Sequence, residues 1–489
     1  MVWFVSYVYD RLYIGGRWVT PSSSEVIPVI SAATEEAVGR VPAGDIADID
    51  KAVATARRAF DTPRGWASWS PADRAAMLYR FADELQERRN EMIRRVSLQN
   101  GMPVSVGSQT EGAYPPKLLR YYADLATRQP VEETRRSFVA GSTVVRKEPI
   151  GVVAAIVPWN FPQSLTFFKL APALAAGCTV VLKPAPETVL DAFLMAEAAE
   201  AAGLPPGVLN VVTGDGHNIG RHLVTHPGVN KVAFTGSTEV GRSIAEQCGR
   251  LLRPVTLELG GKSAGIILDD VDLPQMSKEL FAATLLNQGQ TCFISTRILA
   301  PQSRYDEVVD LFTASARSLT VGDPFDPKTL IGPLASAKQR ATVERYIRRG
   351  KADGGRITTG GGRPAHLERG WYIEPTIFAG IDNQATIARE EIFGPVLAII
   401  AYSSVDEAVS IANDSSYGLG GTVWTSDQQR GLQLARRIHT GTIGVNGFTL
   451  DIGAPFGGIK SSGLGRELGP EGLSAYQQLK SMYLPEVSA

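Results

Sequence analysis

Cysteine is scarce in this chain. Among 489 residues there are three, Cys178, Cys248 and Cys292. They are odd in number, far apart and in no CxxC or Cys/His ligand spacing. That excludes a disulfide framework, gives no reason to expect a metal site, and points to a reducing, cytoplasmic setting. Long apolar runs are also lacking, and none approaches the roughly 20 residues of a membrane-spanning helix. The apolar opening "MVWFVSYVYDRLYIGG" has no basic leader and no small-residue cleavage site, so it reads as a strand-like start and not as a signal peptide. An excess of one charge is missing too. Forty-nine lysines and arginines face fifty acids, for a formal net charge of −1, with no basic cluster. Neither nucleic acid nor a membrane is therefore an expected partner. Internal repeats, low-complexity segments and flexible linkers are absent as well.

What is present is ordinary globular material, 44% hydrophobic and 20% charged. A chain of this length requires two or more domains, because single cores stop growing well below it. The first part is helical. In "DIDKAVATARRAF", Ile49, Val53, Ala56 and Phe60 share one helical face. In "SPADRAAMLYRFADEL", Ser70 is a candidate N-cap with Pro71 and Asp73 behind it, and the helix is expected to run to Gly101 of "QNG". From about residue 150, short Val/Ile-rich runs alternate with helices: "GVVAAIVPW", "CTVVLKP", "GVLNVVTG", "NKVAFTG" and "PVTLELGG". Each ends at glycine or proline. This is the pattern of an open parallel α/β sheet, which binds ligands at the carboxyl ends of its strands. A second alternation follows Gly261, in "SAGIIL", "STRILA", "VLAIIAY", "GGTVWT" and "GTIGVN". "RRSFVAGSTVVRKE" alternates about Gly141 like a hairpin belonging to neither core, and "LKSMYLPEV" alternates too. The pair reads as an arm for another subunit, or else as a local hairpin and a frayed tail.

Several stretches have the residue types that chemistry needs. "KVAFTGSTEVGRSIAEQ" is a strand, a turn with Gly236 and Gly241, and a helix starting near Ser237 or Thr238. Such a helix start offers free N–H groups to a phosphate. By itself the stretch reads first as a capped βα turn. "NVVTGDGHNIG" imitates a dinucleotide fingerprint with Gly214, Gly216 and Gly220, but the spacing is GxGxxxG and no acid follows the next strand. It reads as a loop beside the site. Cys178 and Cys248 lie in apolar settings and fit small buried fillers. Cys292, in "NQGQTCFIS", lies among small polar residues just past Gly289, a setting that suits a nucleophile. A nucleophilic thiolate attacking a carbonyl needs a donor for the oxyanion and later a base for water. Asn160 of "VPWNFP" and Glu258 of "LELGG" supply those groups at strand ends. A carboxylate closing an apolar run should have a raised pKa.

"PWNFP", "KPAPET", "FTGSTEVGR", "LELGGKS", "NQGQTC", "EEIFGP" and "PFGGIKSSGLGRE" stand in the order and spacing of the NAD(P)-dependent aldehyde dehydrogenase superfamily, which the chain resembles over essentially its whole length. The resemblance implies an α/β fold of two Rossmann-like domains plus a small β oligomerisation arm. It places the cofactor-binding domain at residues 1–127 and 148–259, the arm at 128–147 and 473–489, and the catalytic domain at 260–472. It implies a homodimer or homotetramer. It assigns Cys292 as nucleophile, Glu258 as general base and Asn160, with the Cys292 N–H, as oxyanion donor. Lys183, Glu391 and Phe393 match ribose- and nicotinamide-holding positions, and Trp159, Gly216, Phe234, Gly236, Ser237 and Leu259 line the rest of the cofactor site. Lys169 and Glu467 match commonly charged positions. Phe161, Phe168, Phe293, Phe448 and Phe456 fall along the family's substrate tunnel, which implies an apolar or aromatic aldehyde.

One position departs from the family pattern. Where many NAD-preferring members place a ribose-binding glutamate, three residues after the motif lysine, this chain has Pro186, with Glu187 one step later. NAD is the expected cofactor, and NADP is left open. The implied reaction is oxidation of an aldehyde to the acid through a thiohemiacetal and a thioester. The alternatives are a coenzyme-A-acylating semialdehyde dehydrogenase, which can dispense with Glu258, and a non-catalytic binding or structural descendant of the fold.

Overall fold

The Val/Ile-rich runs after residue 150 assemble into one sheet, seen in the computed structural model, which describes residues 7–485. Its five parallel strands are Val152–Ile156, Thr179–Lys183, Leu209–Val211, Lys231–Thr235 and Val255–Glu258. Strands Val152–Ile156, Thr179–Lys183 and Lys231–Thr235 are buried throughout, as expected for strands covered by helices on both faces. Across the sheet the order is Val255–Glu258, Lys231–Thr235, Val152–Ile156, Thr179–Lys183, Leu209–Val211. The chain thus starts in the middle, moves out to one side, then returns to the other. Its direction reverses between Val152–Ile156 and Lys231–Thr235, and that reversal opens a crevice at the carboxyl ends. Antiparallel edge strands complete the sheet, Gly463–Leu464 on one side and Leu12–Tyr13 with Trp18–Val19 on the other.

The second sheet has the order Arg356–Thr359, Thr376–Ala379, Val396–Tyr402, Ser295–Pro301, Ser263–Ile267, Gly421–Trp424, Gly444–Val445, parallel except at Arg356–Thr359. The two strands before Val396 were not anticipated. Each has four residues, too few to establish a period of two. Val26–Ile30, Ala37–Pro42 and Tyr7–Val8 form a small separate sheet. Residues 1–6 of the expected strand-like start lie outside the described residues. The hairpin about Gly141 pairs Glu132–Arg136 with Ser142–Pro149, and Gln477–Leu484 adds a third antiparallel strand. Residues 486–489 lie outside the described residues.

Helix Ile46–Asp61 starts at Asp45, whose carboxylate forms a reciprocal capping box with Asp48. Ile49, Val53 and Ala56 are buried, as their spacing predicts, and Phe60 is half-buried. Ser70 caps the next helix by accepting the Asp73 N–H at 3.1 Å. The single helix expected from there to Gly101 is two, Pro71–Glu87 and Arg89–Asn100, which break at Arg88 with φ −89° and ψ 6°. Nothing in "QERRN" marks that break, because it contains neither glycine nor proline. Gly101 ends the second helix at φ +76°, with Pro333 packed where a side chain would project. A Gly101→Ala change should therefore cost about 1–3 kcal/mol through backbone strain and collision. Calorimetry should show a lower melting temperature, and an unchanged one would show that this turn relaxes freely.

Candidate active site

Asn160 emerges from the central strand Val152–Ile156 into the crevice and is buried there. Its side-chain N–H donates to the Gln290 carbonyl at 2.9 Å, and its own carbonyl accepts from the Asn287 amide at 2.9 Å. Asn100 holds the preceding carbonyl, that of Trp159, at 2.9 Å. Three consecutive residues of "NQG" are left-handed: Asn287 at φ +52°, Gln288 at +56° and Gly289 at +75°. Two of them carry side chains, so the turn is strained. Gln288 holds it by donating to the carbonyls of Gly101 and Pro333, both at 3.0 Å, and the Ala335 N–H donates to the Gln290 side chain at 3.0 Å. Gly289 is needed for space as well, since a Cβ there would collide with the Gly394 carbonyl. Cys292 follows this turn, partly exposed, just before strand Ser295–Pro301. It therefore sits at the amino end of its strand, facing groups from the carboxyl ends of the other sheet. Cys178 and Cys248 are fully buried.

Glu258 closes strand Val255–Glu258, is 2% exposed, and has neither carboxylate oxygen hydrogen-bonded within the protein. Burial drives its pKa well above the carboxylate range, and the nearby Glu467 carboxylate pushes it the same way. Glu467 is itself paired with Lys169 at 2.7 Å, and Lys169 also donates to Thr235 at 2.6 Å. The two glycines after Glu258 make room for other groups. A Cβ on Gly260 would strike the Glu391 carboxylate, and one on Gly261 would strike the Cys292 carbonyl. Room for Glu258 comes instead from Gly457, at φ +150°, whose missing side chain would lie 2.5 Å from Glu258 Oε1. Glu391 accepts the Gly261 N–H at 2.9 Å, and burial raises its pKa to about 7. Burial also pushes the Cys292 thiol far up, and the Glu391 and Glu258 carboxylates add to the effect. The thiol thus ionises only when a base takes its proton or a positive charge arrives.

Around the crevice, Trp159 meets Phe393 edge-to-face at 5.4 Å, and Phe393 adopts φ +57°. The Gly236 N–H donates to the Glu258 carbonyl at 3.0 Å, which ties two strand ends together. A Cβ on Gly236 would press into the Phe234 ring, and one on Gly241 into Leu259. Helix Thr238–Arg250 starts here with Ser237 as its N-cap. Lys183 is buried, donates to the Pro184 carbonyl at 3.1 Å, and has its pKa lowered to about 8 by burial, against the opposing carboxylates of Glu187 and Asp215. Pro186 and Glu187 beside it are half-buried. The 214–220 loop reaches Lys183 through Gly220, whose Cβ would lie 3.6 Å from the lysine chain, whereas Gly216 faces open space. Helix Thr238–Arg250, Lys183, Glu391 and the two aromatic rings fit a dinucleotide with its phosphates at the helix start.

One potential cation-binding trio is present among the described residues, Asp50, His222 and His226. His226 Nδ1 accepts the Gly228 N–H at 3.0 Å, which puts the proton of a neutral ring on Nε2, facing Asp50 at 3.3 Å. The trio is a hydrogen-bonded surface link.

A cavity of about 390 Å³ reaches Cys292 and Asn160. All five phenylalanines singled out in the sequence border it. Phe293 stacks on Phe448 at 4.5 Å, and Phe456 bridges Phe293 and Phe168 edge-on at 6.1 and 6.5 Å. No Lys, Arg, His, Asp or Glu lines the cavity. The sequence model described as "Aldehyde dehydrogenase family" matches residues 18–482. The chain belongs to the aldehyde dehydrogenase family. It is 55% identical to a geranial dehydrogenase of Castellaniella defragrans, over 97% of this chain and 99% of that one. Among solved structures, a Mycobacterium tuberculosis aldehyde dehydrogenase complexed with NAD+ is 48% identical over 98% of this chain and 99% of that chain, with a TM-score of 0.96. A Pseudomonas syringae aldehyde dehydrogenase variant complexed with NAD+ and octanal is 39% identical over 97% and 96%, with a TM-score of 0.91.

This aldehyde dehydrogenase also uses residues that the sequence reading passed over. Tyr114, Phe281, Leu286 and Leu450 complete the cavity wall. Ser462 accepts the Gly418 N–H at 2.9 Å and donates to the Gly260 carbonyl at 2.7 Å, bracing the segment below Glu258. Ser462 and Gly457 lie in "PFGGIKSSGLGRE", so the signal was present, but as a motif without a geometry. A Glu467→Gln change removes one negative charge beside Glu258 and leaves Lys169 in place. Both effects favour the ionised Glu258, so its raised pKa should fall. The limb of the pH–rate profile that requires ionised Glu258 should then shift to lower pH, and a limb that does not move would disconnect the two carboxylates. The unpaired buried Lys169 should also lower the melting temperature.

Proposed function

We propose that the protein oxidises apolar aldehydes to carboxylic acids with NAD+, using Cys292 as nucleophile, Asn160 as oxyanion donor and Glu258 as base. One observation carries this reading: Cys292 and Asn160 border the same uncharged aromatic cavity. A charged semialdehyde entering it would lose hydration without gaining a counter-ion, which is costly. The names of relatives point the same way, since geranial and octanal are both apolar aldehydes.

Cys292 adds through sulfur to the carbonyl carbon. The Asn160 side chain, held by Gln290, donates to the oxygen that becomes negative. Glu391, Phe393 and Trp159 would hold the nicotinamide of NAD+ and the start of helix Thr238–Arg250 its phosphates, and the bound cofactor would supply the hydride acceptor. Cys292 then retains the acyl group as a thioester. Glu258, with both oxygens free of protein partners, takes a proton from water, which attacks that thioester and releases the acid. Pro186 itself brings no carboxylate to the adenosine ribose, although Glu187 beside it acts on Lys183, so NAD is the cofactor and NADP the alternative to it. Exposed Phe138, Val139, Leu479 and Tyr483 give the arm an apolar surface for a second subunit, which supports a dimer or tetramer. Three unpaired cysteines fit a reducing, cytoplasmic setting.

A panel of aldehydes tests the reading. Medium-chain, terpenoid and aromatic aldehydes should give higher kcat/KM than carboxylate-bearing semialdehydes, and the reverse ranking would overturn it. Cys292→Ser should abolish turnover while leaving cofactor binding largely intact. Glu258→Gln should give a burst of NADH and a trapped acyl adduct on Cys292 visible by mass spectrometry. Slow turnover with neither would move Glu258 ahead of hydride transfer. Pro186→Glu should raise the ratio of kcat/KM for NAD over NADP, because the new carboxylate repels a 2′-phosphate. A constant ratio would show that residue 186 does not face the ribose.

A further inference from the structure

A second cleft opens before the start of strand Leu209–Val211, at the edge of the first sheet opposite the carboxyl ends that hold Asn160, Gly236 and Glu258. Its volume is about 550 Å³, and Arg17, Lys51, Arg58, Arg64, Trp66 and Trp69 border it. No aspartate or glutamate does. None of the four cations forms an ion pair among the described residues. In a chain with a formal net charge of −1, four uncompensated positive charges around one concavity are a local departure. Clefts lined by one sign of charge concentrate ions of the other sign.

Two further observations distinguish this cleft from a merely basic surface. Arg64 takes φ +63°, a left-handed conformation that non-glycine residues adopt at a cost and that clusters at ligand clamps. Trp69 lies 5.1 Å from Trp66 at an interplanar angle of 49° and is half-buried, offering an aromatic surface at the rim.

We propose that this cleft binds a small phosphate-bearing anion. Guanidinium groups match phosphate oxygens in pairs, and a lysine adds a point charge. A planar group attached to the phosphate would rest on Trp69. The ligand is either free phosphate or pyrophosphate, or a nucleoside phosphate, and the two sources differ in their use of that tryptophan.

The test is isothermal titration of the full chain with pyrophosphate and, separately, with AMP. Wild-type protein should bind pyrophosphate saturably. Lys51→Gln combined with Arg58→Gln should weaken it by roughly tenfold or more, the loss expected for two charge-assisted contacts. Both residues are exposed and remote from Cys292, so aldehyde oxidation should continue unchanged in that variant. Saturating NAD+, which fills the phosphate position at the start of helix Thr238–Arg250, should leave the pyrophosphate constant as it is. For AMP, the heat that disappears in the Lys51/Arg58 variant reports this cleft. Tighter binding than pyrophosphate that depends on Trp69 identifies a nucleoside phosphate, and equal binding without that dependence identifies the phosphate group alone. Absence of saturable pyrophosphate binding, or a constant that the double variant leaves unaltered, overturns the proposal.

Discussion

The two large sheets are joined where the chain has no side chains. Strand Val255–Glu258 is the last parallel strand of one sheet, strand Ser263–Ile267 is the first of the other along the chain, and Gly260 and Gly261 lie between them. Gly261 presses on the Cys292 carbonyl and donates its N–H to Glu391, while Gly260 lies against the Glu391 carboxylate. A methyl group at Gly261 would push the Cys292 backbone away from the other sheet, whereas one at Gly260 would displace the Glu391 carboxylate. Glu258 and Cys292 come from different sheets, so their spacing is set by this backbone contact and not by either sheet alone. The Ser462 side chain, bonded to Gly260 and Gly418, locks the same seam from below. Everything chemical about the crevice depends on that close approach.

The seam also collects buried ionisable groups whose charge is undecided. Burial raises Glu258 and Glu391, raises the Cys292 thiol, and lowers Lys262 to about 7. Each is therefore biased toward its neutral form. A cation entering the crevice lowers the pKa of the thiol and of both carboxylates at once. Ionisation of the Cys292 thiol is thereby coupled to occupancy, since burial alone favours its protonated form.

Much of this was legible in the sequence because the strand signals are local. Val/Ile runs closed by glycine or proline gave the central strands of both sheets, and a serine before proline gave the cap at Ser70. The chemically suggestive residues, Cys292, Asn160 and Glu258, were marked by surroundings unlike a core: small polar neighbours, flanking prolines, an acid closing an apolar run. Long-range packing was not legible. Nothing local says that Gly457 makes room for Glu258, that Asn100 and Asn287 hold the "PWN" backbone, or that the helix before Gly101 breaks at Arg88. Gly220, not Gly216, meets Lys183 for the same reason. A glycine's neighbour across space has no signature in its own stretch of chain.

The uncharged wall of the substrate cavity bears on what happens after chemistry as well as before it. An apolar aldehyde is at home among Phe161, Phe168, Phe293 and Phe456, but its oxidation product is an anion. No cation lines the cavity to replace the water that a carboxylate loses there, and the buried carboxyls of Glu258 and Glu391 close by oppose it whenever they are ionised. The product is thus a poor ligand for the site that made it. An uncharged wall that suits an apolar aldehyde therefore favours fast release of the acid made from it.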